Sequence, residues 1–483
     1  MKKSGIAPEF ALTRLGGIEG KRYKRGMSTQ ANIEPLSGNE REPTLFAIEP
    51  CQTQAVEPPG RPRLRCAERH QVVMQVASLD SLLPEDHRAR LVWEYVEGVD
   101  LSRLYEQIQS VEGQPGRDAI DPRILMGLWL YATLDGVGSA RQLARLCGDH
   151  VAYRWICGGV SVNYHTLSDF RTAHPELLDE LLTQSVAALM HEGLVTLHRV
   201  AQDGMRVRAN AGASSFRRRP SLEECQRQAQ QQIQSLRQEL EAAPAASTRR
   251  QQAARQRAGR ERSARVGKAL EALAEIEKKR QGQKKKKKAR ASTTEPEARV
   301  MKMPDGGFRP AHNVELATDT ASQVITGVDV VNVGSDTDQM PPMVEQHQNR
   351  YGKTPDEILV DGGFAQLDAI EKVSSAPGGV TVYAPLQKPR KEGRDLYEPL
   401  PGDSEVIAAW RRRMGTAKAK AIYKERAATA ECVNAISRNR GLHRFLVRGL
   451  KKTRTVILWF AVAHNLMRAV ALRAQAALAT VGA

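Results

Sequence analysis

The stretch that most limits what this chain can fold into is Glu357-Ile358-Leu359-Val360, which runs into Asp361-Gly362-Gly363-Phe364. Three apolar residues in a row leave a short strand no polar face. Both faces must be covered, as in a parallel strand. The spacing predicts a helix from Met340 to Tyr351, opened by Pro341-Pro342, a second from Gln366 to Val373, and a short strand from Gly379 to Ala384. Such alternation implies a sheet layered with helices.

An earlier segment ends the same way. Val195 to Gln202 has β-propensity and no helical spacing. Asp203-Gly204 reads as the turn that stops it. Asn313 to Ala317 and Val324 to Val331 read as two more strands, joined at Thr318-Asp319-Thr320. The fold class expected is α/β, a mixed sheet with flanking helices. One Asp-Gly is most often only a turn. Two, each closing a strand, put Asp203 and Asp361 face to face at one sheet edge if the strands are neighbours. Adjacent carboxylates repel unless a divalent cation neutralises them, and oxygen-only ligands suit Mg2+ or Mn2+.

Charge indicates the partner. Lys and Arg number 72 against 55 Asp and Glu, a formal +17, so a polyanion is expected, nucleic acid rather than a membrane surface. A carboxylate–metal site facing a polyanion implies metal-assisted phosphodiester chemistry. The six cysteines form no CxxC pair, which points away from zinc and disulfides and towards a reducing cytosol. Met1-Lys2-Lys3 leads into no apolar run, so no signal peptide is read there. Thr455 to Leu472 is apolar but broken by His464, Asn465 and Arg468, and reads as a core helix rather than a membrane span.

Four regions are expected. Residues 1–80, rich in Pro, Gly, Glu and Arg, read as largely disordered. Residues 81–193 read as an all-α domain. Leu91, Val92, Tyr95, Val96 and Val99 make one face, Asp121-Pro122 and Ser139 open helices, and Pro175 starts a long one. Thr166-Leu167-Ser168-Asp169 reads as a capping box before Phe170-Arg171. Short helices with tight turns at Gly136 and Gly138 permit a helix-turn-helix, and equally a bundle that contacts only protein. Residues 194–215 and 301–475 carry the sheet and C-terminal helices. Between them, residues 216–300 are nearly all Arg, Lys, Gln, Glu and Ala, with apolar positions for two helices of an inserted hairpin. Its run Lys284, Lys285, Lys286, Lys287 and Lys288 is assigned to contact with a phosphate backbone rather than to a solvated tail.

A third carboxylate is expected from the C-terminal helices, where Glu425 and Glu431 are available. On an α-helix Glu431 shares a face with Tyr423, Ala427, Asn434 and Arg438. That face makes a poor core and a good phosphate site. Glu425, flanked by Lys424 and Arg426, reads as solvated.

Three motifs carry a resemblance. Asp203-Gly204-Met205-Arg206-Val207-Arg208-Ala209-Asn210-Ala211, Ile358-Leu359-Val360-Asp361-Gly362-Gly363-Phe364, and a Tyr-x-x-Arg…Glu…[Lys/Arg] helix resemble the DDE transposases of bacterial insertion sequences. The similarity is to the insertion-sequence four/five superfamily, eleven-eighty-two group, and runs over residues 80–470. Thr166-Leu167-Ser168-Asp169-Phe170-Arg171 resembles that group's N-terminal domain. The resemblance implies an RNase H-like fold whose acids, Asp203, Asp361 and Glu431, chelate two Mg2+. Tyr423, Arg426 and Arg438 would contact DNA. It implies Mg2+-dependent cleavage and strand transfer at insertion-sequence ends by in-line attack, with transposon-end and target duplex DNA as partners. It also implies a homodimer on DNA and a cytoplasmic, nucleoid-associated location. No covalent enzyme intermediate is needed, so His165, His198 and His464 are read as structural or DNA-facing. Two departures stand out. Arg438 replaces the usual Lys, and four residues rather than three separate Arg426 from Glu431. The rival readings are an RNase H-like nuclease and an inactive DNA-binding repressor derived from a transposase.

Overall fold

In the computed structural model, residues 76–481 are described, apart from 112, 114–116, 243–247, 280, 281, 283–287, 377 and 388–394. The disorder expected over residues 1–80 falls almost wholly outside the described residues, and so do Lys284 to Lys287.

The centre of the sheet is β1 (Arg199–Arg208), where Val200, Ala201, Met205 and Val207 are buried. It pairs antiparallel along its length with β5 (Phe308–Asp319), and parallel over Arg199 to Ala201 with β7 (Glu357–Leu359). Beyond β7 lies parallel β8 (Thr381–Tyr383). On the other side β5 pairs antiparallel with β6 (Ile325–Val331), and its start pairs with β4 (Arg299–Lys302). The order is thus β6-β5-β1-β7-β8, with β4 also on β5. Ile358, Leu359 and Val360 are wholly buried, as an apolar run covered on both faces requires.

One expectation is corrected. Asp203-Gly204 does not end the strand, because β1 continues five residues past Asp203 to Arg208. Asp203 pairs with Leu316 and Gly204 with Glu315, and a full antiparallel ladder overrides the turn preference of an isolated Asp-Gly. β7 stops at Leu359 while β1 runs on, so one flank of β1 opens into a notch at Asp203.

Among the described residues, seven α-helices precede the sheet: α1 (Arg88–Glu97), α2 (Ser102–Tyr105), α3 (Pro122–Leu134), α4 (Ala140–Asp149), α5 (Val151–Cys157), α6 (Tyr164–Ala173) and α7 (Pro175–His191). Asp121 caps α3 with Pro122 at its first position, and Ser139 caps α4. The start of α6 differs from the capping box read at Thr166. Asn163 is the cap, accepting from the Thr166 N–H, and Thr166 lies inside the helix. An Asn at N-cap outcompetes a Thr one turn later.

The hairpin between β1 and β4 consists of α8 (Arg219–Ala242) and α9 (Arg249–Lys279). Arg219 pairs with Glu277 and Arg255 with Glu239, so the helices run antiparallel. Its root is clamped by β2 (Phe216–Arg217) against β3 (Ala291–Ser292). Leu222, Ala229, Val266, Ala269 and Leu273 are buried; the other faces carry the charges.

After the sheet strands come α10 (Met340–Tyr351), preceding β7, and α11 (Leu367–Ser375), preceding β8. Then follow α12 (Glu405–Gly415), α13 (Ala417–Arg426), a π-helical turn (Ala427–Glu431), α14 (Cys432–Asn439) and α15 (Leu450–Val481). α15 ties the molecule together. Its Trp459 indole donates to the Arg171 carbonyl of α6, and its Asn465 amide bonds both the N–H and C=O of Ile325 in β6. The N-terminal helices, β1, β5, β6 and α15 therefore share one core, while β7 and β8 pack in a second cluster with the helices that flank them. Among the described residues α15 is the helix long and apolar enough to cross a membrane by length and composition. Val456 to Ala463 are nevertheless buried inside this core.

Candidate active site

Strand pairing decides which face each side chain takes. Gln202, Gly204 and Arg206 share one face of β1 with Glu315 and Asn313 of β5, and Asp203 points to the opposite face. Asp361 follows the end of β7, at the level of Asp203. The two Asp-Gly acids thus come from neighbouring parallel strands, at the notch beside a central strand rather than at an outer edge.

On its own face Asp203 meets the C-terminal helices. Asn434 Nδ2 donates to Asp203 Oδ2 at 2.9 Å, and Arg426 Nη1 lies 3.5 Å from Asp203 Oδ1. Burial pushes the Asp203 carboxyl up to about 6; Arg426 opposes this, while Asp361 and Asp336 add to it. Burial raises the pKa of the Tyr423 hydroxyl, and nearby Arg426 opposes this.

The π turn explains how Arg426 and Asn434 reach one carboxylate. Eight residues along an α-helix leave two side chains about 80° apart. One residue absorbed as a π turn brings them back to within about 20°. The turn falls between Arg426 and Glu431, where the sequence carries one residue more than the motif it resembles. It also dissolves the uniform α-helical face drawn through Tyr423, Ala427, Glu431, Asn434 and Arg438. Glu431 is exposed on this turn, with no hydrogen bond or ion pair to another described residue. Arg438 is half-buried in the last turn of α14. Glu425 is half-exposed and also ion-paired: Arg199 Nη1 lies 2.7 Å from both of its oxygens, and Arg199 Nε bonds Glu357.

The other face of β1 holds groups that sequence reasoning missed. Asp336, on the loop after β6, reaches over Gly204, and a Cβ at 204 would stand 2.5 Å from Asp336 Oδ1. Asn313 Nδ2 donates to Asp336 Oδ1 and to Glu315 Oε1, each at 2.7 Å. Gln202 Nε2 donates to Glu315 Oε2. Burial raises the Asp336 carboxyl, with Asp361 adding to the shift. Glu315, wholly buried, is pushed up to about 8 by burial, with Asp336, Asp203 and Asp329 contributing. No spacing rule links Asp336 to Asp203. The only hint lay in Gly204, whose missing side chain leaves room for it.

Asp203, Asp336 and Asp361 thus crowd one notch, with Arg426 the cation against Asp203 and Arg206 the cation against Asp336. Among the described residues no three His, Cys, Asp or Glu side chains converge closely enough to enclose a metal ion. The donor chemistry is nevertheless that of a hard divalent cation: carboxylate oxygens, with Asp361 raising the pKa of Asp203 and Asp336, and no sulfur or imidazole. His464 instead bonds the Gln323 carbonyl, and His198 bonds Asp356.

Lys288, the described member of the lysine run, is exposed beside the root of the hairpin. Near that root Arg217, Arg262, Arg265 and Arg448 line a recess of about 400 Å³ that contains no acid.

Two family models match the chain. A transposase domain (DUF772) matches residues 77–173, the helices α1 to α6. A transposase DDE domain matches residues 401–470, which include Tyr423, Arg426, Glu431, Asn434 and Arg438. Neither covers half of the chain; together they support a DDE transposase, and so a function in DNA transposition on a DNA substrate. No curated protein and no solved structure matches.

Proposed function

We propose that this protein is a transposase of the insertion-sequence four/five superfamily, eleven-eighty-two group. Its sheet is read as RNase H-like and its catalytic acids as Asp203, Asp361 and Glu431. The observation that carries the reading is the meeting of Asp203, Asp361 and Arg426 at one notch, drawn from three distant segments. The strand order, with an antiparallel β6-β5-β1 half and a parallel β1-β7-β8 half, supports it.

Asp203 and Asp361, with Glu431, would hold Mg2+ or Mn2+. A divalent ion bound there supplies Lewis acidity at the scissile phosphate and a lowered pKa for the attacking water or 3′-hydroxyl. The chain's own groups do the rest. Asn434 fixes the Asp203 carboxylate by its 2.9 Å bond. With a cation bound there, Asp203 would no longer need Arg426 as its counter-charge, and Arg426 would be free to clamp a phosphate oxygen. Tyr423 and Arg438 flank the DNA strand. Asp336, held by Asn313, adds a further negative group facing Asp361. The basic hairpin, with Lys284, Lys285, Lys286, Lys287 and Lys288, grips backbone without reading sequence. Two ends must be processed together, so the active form is a homodimer on DNA, in the cytoplasm at the nucleoid.

The test is incubation of the purified full-length chain with Mg2+ and a duplex carrying the element's terminal inverted repeats beside a target plasmid. Joined end–target products are expected. Nicking of any duplex alike, with no joined product, would replace the transposase by a nuclease. Binding without cleavage would make it a repressor.

A further inference from the structure

Away from the carboxylates, the loop after α3 meets the loop between α14 and α15. Both loops turn on a glycine with left-handed backbone, and the approach is tight at residue 441. Gly136 has φ +74° and Gly441 φ +85°, and a Cβ at 441 would stand 3.0 Å from the Gly136 carbonyl oxygen. Between the loops lies a cavity of about 260 Å³.

The charged side chains on its wall, Arg171, Arg440 and Arg444, are all positive, with His443 beside them and no acid among the lining residues. The N-terminus of α4 opens onto it through Ser139 and Gln142, and the first turn of that helix has no acidic residue. A helix N-terminus presents free N–H groups and a positive dipole end.

Arg171 is what makes this a site rather than a basic surface. It is only 8% exposed, yet no carboxylate pairs with it among the described residues. Its guanidinium lies on the Trp129 ring at 4.6 Å, Nη1 donates to the Gly138 carbonyl, and buried Nε has no partner. Burial pulls its pKa down to about 10. A buried cation without a counter-charge is strongly disfavoured, and few buried polar groups lack a partner. An anion at this cavity supplies the missing counter-charge.

We propose that this cavity is a phosphate-binding site that takes one backbone phosphate of duplex DNA. An oxyanion there meets Arg171 from the floor, the start of α4 from one side, and Arg440 and Arg444 from the rim. The rim is tied to the catalytic strand: Arg208 N–H donates to the His443 carbonyl, and Phe445 N–H donates to the Arg208 carbonyl. A phosphate held there fixes the DNA relative to the end of β1, and so relative to Asp203 five residues earlier. The DNA assignment rests on the transposase reading; the anion assignment does not.

The test uses full-length protein in two arms. In the first, inorganic phosphate is titrated against chloride at matched ionic strength, and Tm is followed without DNA. Phosphate is expected to raise Tm above the chloride control, with a midpoint at least tenfold weaker in Arg440→Gln/Arg444→Gln. These rim residues are used because Arg171→Met removes a buried side chain and can unfold the chain. Identical responses to the two salts, or an unchanged midpoint in the double variant, would overturn the site. In the second arm saturating duplex DNA is added first. Loss of the phosphate response is the expected result, with a salt slope of DNA binding lower in the double variant by about 0.9 for each DNA phosphate no longer neutralised. A phosphate response that survives DNA, with an unchanged slope, would overturn the DNA assignment and leave a site for free phosphate.

Discussion

Asp336 Oδ1 occupies the space that a side chain at residue 204 would need: a Cβ there would stand 2.5 Å from it. Asp336 is also held by Asn313 and presses on the notch from the face opposite Asp203. The absence of a side chain at 204 is therefore what lets carboxylates from both faces of β1 reach one place.

Gly204→Ala tests this directly. The new methyl must displace Asp336, and overpacking of this kind costs about 1–3 kcal/mol. The variant is expected to fold with a lowered Tm, bind DNA as wild type does, and cleave at least tenfold more slowly. Cleavage at the wild-type rate would show that the position of Asp336 does not matter to the reaction.

The third acid is tested by a pair of variants. Glu431→Gln is expected to abolish cleavage, with DNA binding and Tm nearly unchanged, because its side chain is exposed and makes no bond to another described residue. Glu425→Gln is expected to cleave within a few-fold of wild type. It should lose stability instead, by up to about 1 kcal/mol for a partly exposed pair with Arg199. The reverse pattern would transfer the ligand role to Glu425.

Glu315 gives a pH dependence whose sign can be worked out. Its carboxyl is raised to about 8 in the folded protein, well above its ordinary value near 4.3. Between those values the folded state holds a proton that the unfolded state has lost. Stability therefore falls as pH rises from about 4.5 through about 8, at up to about 1.4 kcal/mol per pH unit. Glu315→Gln removes the titration, so urea unfolding between pH 5 and 8 should show a shallower decline than in wild type. Parallel curves would contradict the assignment.

Replacing Lys284, Lys285, Lys286, Lys287 and Lys288 with Gln should weaken binding to end DNA and to scrambled DNA alike. The log–log salt slope should fall by up to about 0.9 for each phosphate that the lysines had neutralised. Weakening confined to end DNA would make the run a sequence reader.

Much of the sheet was legible because burial leaves a mark on composition. The run Ile358-Leu359-Val360 required a covered strand, and the strand from Ile325 to Val331 and the helix from Met340 to Tyr351 lie close to where the pattern put them. Local chemistry misled where long-range pairing prevailed. Asp203-Gly204 has the composition of a turn, yet its ladder with Leu316 and Glu315 keeps it in the strand. Asn163 rather than Thr166 caps α6, because two adequate caps one turn apart cannot be ranked without the preceding backbone. The site was half legible. Asp203, Asp361 and Arg426 sit in recognisable motifs. Asp336, Asn313 and Glu315 do not, since what joins them is cross-strand registry and the space over one glycine. The π turn was present only as an extra residue between Arg426 and Glu431, which a count detects and an α-helical projection cannot place.

The most direct measurement of the central claim compares wild type, Asp203→Asn and Asp361→Asn on duplex DNA carrying the element's ends, with Mg2+ and with EDTA. Cleavage is scored alongside DNA binding. Wild type is expected to cut only with the metal. Both variants are expected to bind the ends as tightly as wild type, and to cut at least a thousandfold more slowly with Mg2+. Cleavage by either variant at the wild-type rate, or cleavage by wild type in EDTA, would contradict a metal-dependent site built on these two acids.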